Sequence, residues 1–116
     1  MRNFRELEIW KRSFNLVNQI YLITKAFPKE ERFGLTSQMR RCAVSIPSNI
    51  AEGCSRISNK EMHRFIEIAI GSSFELETQL LIAKEQKLTT EKIDSILNEL
   101  DQIQKMMNAF RTTLKS

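Results

Sequence analysis

The chain has 116 residues, 41% hydrophobic and 28% charged, with 3 glycines, 2 prolines and 2 cysteines. That is enough for one domain with a core that needs no metal or disulfide, and too little glycine and proline for a β fold rich in tight turns. No apolar run approaches the roughly 18 residues of a membrane span, and the opening MRNFRELEIW carries acids where a secretory leader is apolar, so a cytoplasmic protein that does not enter membranes is expected. The net charge of +4 is unevenly spread: residues 1–64 hold twelve Lys and Arg against six Asp and Glu, residues 65–116 six against eight. A basic half points to an acidic partner.

The first helix is predicted over Glu6 to Phe27. Leu7, Trp10, Phe14, Val17, Tyr21 and Thr24 alternate steps of three and four, a heptad seam, with Ile9, Leu16, Ile20, Ile23 and Phe27 beside it. The apolar arc is wider than one seam needs, and the excess is expected to cover a second helix or a second subunit. Pro28 ends the helix. Lys29 to Gly34 is a charged connection with Phe33 as its anchor.

Residues 34–56, GLTSQMRRCAVSIPSNIAEGCSR, read as the second helix. Leu35, Met39, Cys42, Ile46, Ile50 and Gly53 form its apolar stripe. Pro47 lies inside that stripe, without an N–H for the carbonyl of Ala43, so the helix should kink there or stop and restart. Ser45 and Asn49 are placed to serve the backbone groups the proline strands. Cys42 and Cys54 lie three turns apart on this helix, out of bonding reach, and are expected to be reduced and buried. After a turn at Arg56 to Ser58, the pattern Ser58-Asn59-Lys60-Glu61 is a capping box that starts the third helix. This helix turns Met62, Phe65, Ile66, Ala69, Leu76, Leu80 and Ala83 inward. Gly71, Ser72 and Ser73 weaken it in the middle but let another helix approach closely. Thr89 or Thr90 should cap the fourth helix, whose seam is Ile93, Leu97, Leu100, Ile103, Met107, Phe110 and Leu114. Arg111 and Lys115 suit the negative end of its dipole. Four helices joined by short links make an all-α, antiparallel up-down-up-down four-helix bundle.

SQMRRCAVSIPSNIAEGCSR, followed by RFIEIAIGSSFELETQL at 64–80, resembles the four-helix-bundle proteins encoded in intervening sequences of bacterial 23S rRNA genes. FRELEIWKRSFNL (4–16) and FPKEERFGLTSQ (27–38) resemble them too, so the likeness spans nearly the whole chain and is weakest after about Thr89. The accessory variability protein of diversity-generating retroelements resembles the same fold. The resemblance implies a bacterial protein that self-associates as a pentamer, binds nucleic acid, and has a reverse transcriptase or another protein as a candidate partner.

The residues offer little for catalysis. His63 is the single histidine and has no Cys or acid at ligand spacing, whereas zinc takes about four N, S or O ligands. Neither cysteine stands in a reactive motif, no glycine-rich phosphate loop occurs, and Glu-x-x-His is absent, so no enzyme, metal or cofactor is expected. The cations are the functional candidates. Arg56, Lys60 and Arg64 should share one end of the bundle with the start of the first helix, where Arg2, Arg5, Lys11 and Arg12 lie; Arg40, Arg56, Lys60 and Arg64, with Lys11 and Arg12 second, are expected to grip phosphates. Glu52 has two readings, an i,i+4 pair with Arg56 or a carboxylate that orients Arg40 or Arg41. Glu75 and Glu77 point to different faces of their helix, and one of them is expected to meet an arginine of the second helix, Arg41, which would make Arg41 partly structural. The function read from all this is a homo-oligomeric, non-enzymatic accessory protein that binds nucleic acid, with RNA preferred on the resemblance. The alternative is a protein-interaction scaffold whose basic surface meets an acidic partner.

Overall fold

Apolar side chains spaced by three and four residues wind most of the chain into helix. The protein is described as a computed structural model covering residues 1–91 and 93–114. Its α-helices are α1 (Glu8–Lys25), α2 (Leu35–Cys54), α3 (Asn59–Glu85) and α4 (Ile93–Thr112), with short 3-10 turns at Phe4–Glu6 and Lys29–Glu31 and no strand among the described residues. Each helix packs on its neighbours in sequence, α4 closes on α1, and the diagonal pairs stand apart.

Side-chain bonds fix the directions. Between α3 and α4, Lys84 meets Asp94 at 2.6 Å, Glu77 meets Gln104 at 2.9 Å and Glu67 meets Arg111 at 3.5 Å, so one chain advances as the other recedes. Between α2 and α3, the Cys42 thiol donates to the Ser72 carbonyl at 3.1 Å, and Gly53 faces Met62. The result is an antiparallel four-helix bundle measuring 45 × 23 × 20 Å, the long axis set by α3, whose 27 residues span about 40 Å.

The inward stripes of α2, α3 and α4 match the sequence reading: Met39, Ile46, Ile50, Ile66, Leu76, Leu80, Leu100, Ile103 and Met107 are fully buried. The reading of α1 needs correction. Its core face is Ile9, Ser13, Leu16, Ile20, Ile23 and Thr24, so of the expected seam only Thr24 is buried: Leu7, Trp10 and Val17 pack against the core in part, and Phe14 and Tyr21 turn to solvent, Phe14 51% exposed. Two overlapping stripes share this helix, and the one beside the expected seam faces the core.

The chain does not stop at Pro47; α2 runs through it to Cys54, with the ring buried. The Asn49 side-chain amide donates to the Ser45 carbonyl at 2.8 Å and to Ser45 Oγ at 2.9 Å, and Ser45 Oγ hydrogen-bonds Ser72 Oγ at 2.8 Å. Asn49 therefore serves a carbonyl as expected, but that of Ser45 rather than Ala43, and it ties α2 to α3.

The cap at Ser58 forms, its hydroxyl accepting the Glu61 N–H at 3.2 Å. Thr89 instead accepts the N–H of Glu91 at 3.1 Å, a turn ahead of α4, which begins at Ile93. Lys115 lies outside the described residues. α3 ends on Lys87 at φ 54°, with the Leu88 N–H bonded to the Ala83 carbonyl at 3.1 Å. This is a left-handed helix stop carried by a non-glycine residue.

Candidate nucleic-acid interface

One end of the bundle gathers the chain's N-terminus, the end of α2 and the start of α3. The Arg2 N–H donates to the Cys54 carbonyl at 3.0 Å, and the Arg2 guanidinium lies 5.3 Å from the centre of the Phe110 ring. These contacts bring Arg2 and Arg5 to the end that carries Arg56, Lys60 and Arg64, as the sequence predicts. Arg56 meets Glu52 at 3.2 Å and lies over the Phe65 ring at 5.0 Å, so Glu52 takes the i,i+4 role and does not orient Arg40 or Arg41. Lys60 and Arg64 are exposed one turn apart on α3, with no carboxylate partner among the described residues. They are the freest charges of the set. A mixed-charge chain flanks them, in which His63 meets Glu67 at 3.5 Å and Arg111 meets the same Glu67.

The other candidates are placed differently. Lys11 pairs with Glu8 at 3.5 Å on its own helix. Arg12 is a structural residue: it donates to both oxygens of Glu99 at 2.9 and 2.6 Å, and to Met106 Sδ at 3.1 Å. The bidentate carboxylate raises the Arg12 pKa and holds the Glu99 carboxyl below its ordinary range, against the opposing effect of partial burial. Arg40 is not at the Arg56 end. Fourteen residue steps of α2, about 21 Å of rise, lie between Arg40 and the end of the helix at Cys54, two residues before Arg56. It donates through Nε to Thr24 at 2.9 Å and stacks on Tyr21 at 4.6 Å.

Arg41 is exposed and forms no ion pair with Glu75 or Glu77, unlike the partly structural role expected of it. Glu75 stands by the Cys42 thiol, whose pKa is pushed up to about 12, first by burial and then by that carboxylate. Burial raises Cys54 as well, with Arg2 and the N-terminal amine opposing. Neither thiol is activated as a nucleophile. Among the described residues no three acid, His or Cys side chains group as a metal site, and no helix is long and apolar enough to cross a membrane.

Three further surfaces emerge. The outward stripe of α1 packs Trp10 between Phe4 and Phe14, with ring centres 5.0 Å apart in both pairs, and with Val44 and Pro47 it walls a groove of about 370 Å³ on α1 and α2. Across the bundle, α3 exposes Ile68, Phe74, Leu81 and Ile82. The third surface is at the α1–α2 link. Phe33, expected to anchor that link, is 88% exposed, with Arg32 over its ring at 5.4 Å. The Arg32-Phe33 pair just ahead of a helix start is the signal that a reading of the link as mere connection passes over.

The sequence profile of the 23S rRNA-intervening sequence proteins matches residues 5–109. No curated protein matches the chain. Among solved structures, a protein of unknown function from the S23 ribosomal protein family of Bacteroides thetaiotaomicron superposes with a TM-score of 0.80 at 24% identity, over 90% of this chain and 95% of that one. That likeness shows the shared helical fold. With the profile spanning all four helices, the chain belongs to the 23S rRNA-intervening sequence protein family.

Proposed function

We propose that this protein is a cytoplasmic, non-enzymatic accessory protein that binds nucleic acid, RNA in preference, and works as a homo-oligomer. The observation that carries the reading is the cluster of Arg56, Lys60 and Arg64 beside Arg2 and Arg5 at one end, with Lys60 and Arg64 free of carboxylates among the described residues. Such cations bind phosphates without reading sequence. The family's name attaches it to insertions in 23S rRNA, which supports RNA over DNA. Self-association is supported by two apolar faces on different sides of one bundle, the α1–α2 groove and the outer face of α3. A ring of five is the assembly favoured by the resemblance. It would repeat the basic end around an axis, so that weak contacts act together. A reverse transcriptase or another protein is the candidate partner.

A salt titration tests this. Binding to RNA should fall steeply with salt, each neutralised phosphate adding roughly 0.7 to 0.9 to the log–log slope. Replacing Arg56, Lys60 and Arg64 together with Ala should flatten that slope and leave the melting temperature nearly unchanged, because exposed charges contribute little to folding. Absence of RNA and DNA binding at about 50 mM salt, where such contacts are strong, removes the reading and leaves the alternative, a scaffold whose basic surface meets an acidic protein partner.

A further inference from the structure

The recess at the α1–α2 link has a composition unlike the rest of the surface. It measures about 420 Å³ and is lined by Tyr21, Arg32, Phe33, Ser37, Arg40 and Arg41, among others. That is within the range of about 300–1,000 Å³ seen for small-molecule sites. Three guanidiniums border it, and none forms an ion pair among the described residues. Arg12, Arg56 and Arg111 each hold a carboxylate, whereas Arg2, Arg5 and Arg64, at the other end of the bundle, share this freedom among the described residues. No acid is in the lining; Glu31 stands beside Gly34, outside it. Arg40 is set in place by Thr24 and by the face of Tyr21, bonds that engage only its Nε and its π face and leave the two terminal nitrogens directed elsewhere. The recess also opens at the first turn of α2, which has no side-chain cap and no acidic residue, so its N–H groups favour an anion as well. Phe33 adds a flat apolar ring, nearly all of it in solvent, with a cation over one face.

Guanidiniums that lack acids select a phosphate, and an open aromatic ring beside them selects a planar heterocycle. We infer that this recess binds a nucleotide unit: the phosphate between Arg40, Arg41 and the α2 N-terminus, the base stacked on Phe33 with Arg32. The unit can be a free nucleoside monophosphate or an unpaired nucleotide of a single strand, since both present the same phosphate and the same base face. The inference deepens the nucleic-acid reading but uses residues at the opposite end of the bundle from Arg56, Lys60 and Arg64.

The test is an amide-resolved NMR titration of the full chain with AMP, with inorganic phosphate, and with a single-stranded oligonucleotide of eight adenines. AMP and the strand should move the amides of residues 32–41, and phosphate alone should bind at least about tenfold more weakly, since stacking is worth that factor or more. Phe33→Ala and Arg41→Ala, both at exposed side chains, should each weaken AMP about tenfold. Tighter binding of AMP than of the strand, per site, identifies a free nucleotide as the ligand; the reverse identifies a strand. Equal binding of AMP and phosphate, or no movement of these amides with either nucleotide ligand, overturns the proposal. Binding of the strand that is lost with the Arg56, Lys60 and Arg64 replacements but indifferent to Phe33→Ala overturns it while leaving the proposed function intact. AMP binding that persists in the triple variant, with no RNA binding anywhere, does the opposite.

Discussion

Arg12 and Glu99 show how much a single residue's role depends on a distant partner. Their two hydrogen bonds join α1 to α4 across 87 residues of sequence, with side chains 35% and 26% exposed. Arg12→Ala leaves the Glu99 carboxylate half-buried and alone, and should destabilise the fold by about 1–2 kcal/mol, the value of a charged hydrogen bond discounted for solvent. The pH dependence follows from Glu99. Its pKa is lowered in the fold, so its contribution is present above the unfolded value of about 4.3 and fades as pH falls below it. Chemical denaturation of both proteins at pH 7 and pH 3.5 checks this: the gap between them should shrink at the lower pH, and a constant gap would mean that Arg12 acts only through packing. In the sequence Arg12 was indistinguishable from Lys11, because nothing local marks a carboxylate on another helix. The contacts of Arg40 were equally hidden, since its partners Thr24 and Tyr21 lie on α1.

At the level of elements, the crossing of α2 and α3 is tightest at Gly53. A Cβ there would lie 2.7 Å from Met62 Sδ and 3.0 Å from Phe65 Cβ. The Met62 thioether can swing away only within a buried site, and the Phe65 Cβ moves only with its helix. Gly53→Ala gains about 1 kcal/mol of helix propensity but forces the two helices apart, which costs about 1–3 kcal/mol. The net expectation is a lower melting temperature, and an unchanged or higher one would show that the crossing yields without strain. The helices themselves were legible because each carries an apolar stripe at helical spacing, and the Ser58 cap was legible because its chemistry is local. The facing of α1 was not. Both of its stripes obey the same period, so the period alone does not say that Leu16 and Ile20 go in while Phe14 stays half in solvent. Pro47 did not stop the helix as its chemistry allows: the chain runs through it, with the Asn49 side chain bonded to Ser45 beside it.

For the whole molecule the question is what meets the two apolar faces. The α1–α2 groove is concave and holds Phe14 at its rim, while the outer face of α3 is convex and leads with Phe74, 57% exposed. The faces differ, so one copy's α3 can enter the groove of the next. A contact between unlike surfaces repeats, and closes as a ring when its rotation allows. A two-fold contact would instead pair groove with groove. Charged substitutions separate the two geometries. Phe14→Glu spoils the groove and Phe74→Glu spoils the convex face, and neither should disturb the fold because both rings are half in solvent. If unlike faces meet, each variant alone is a monomer of 13.6 kDa by light scattering at micromolar concentration. The mixture then forms a dimer, because one intact groove and one intact α3 face remain between the two chains. If groove meets groove, Phe74→Glu keeps the native mass and mixing changes nothing. Gly71 gives an independent reading of the same face. An added Cβ meets nothing within 4 Å in the single chain, so Gly71→Ala should raise monomer stability by about 1 kcal/mol. Where α3 packs closely on a second copy, the same methyl weakens assembly, and the two effects separate when melting is followed across protein concentration. A native protein that scatters as a monomer at every concentration removes the self-association reading together with both geometries.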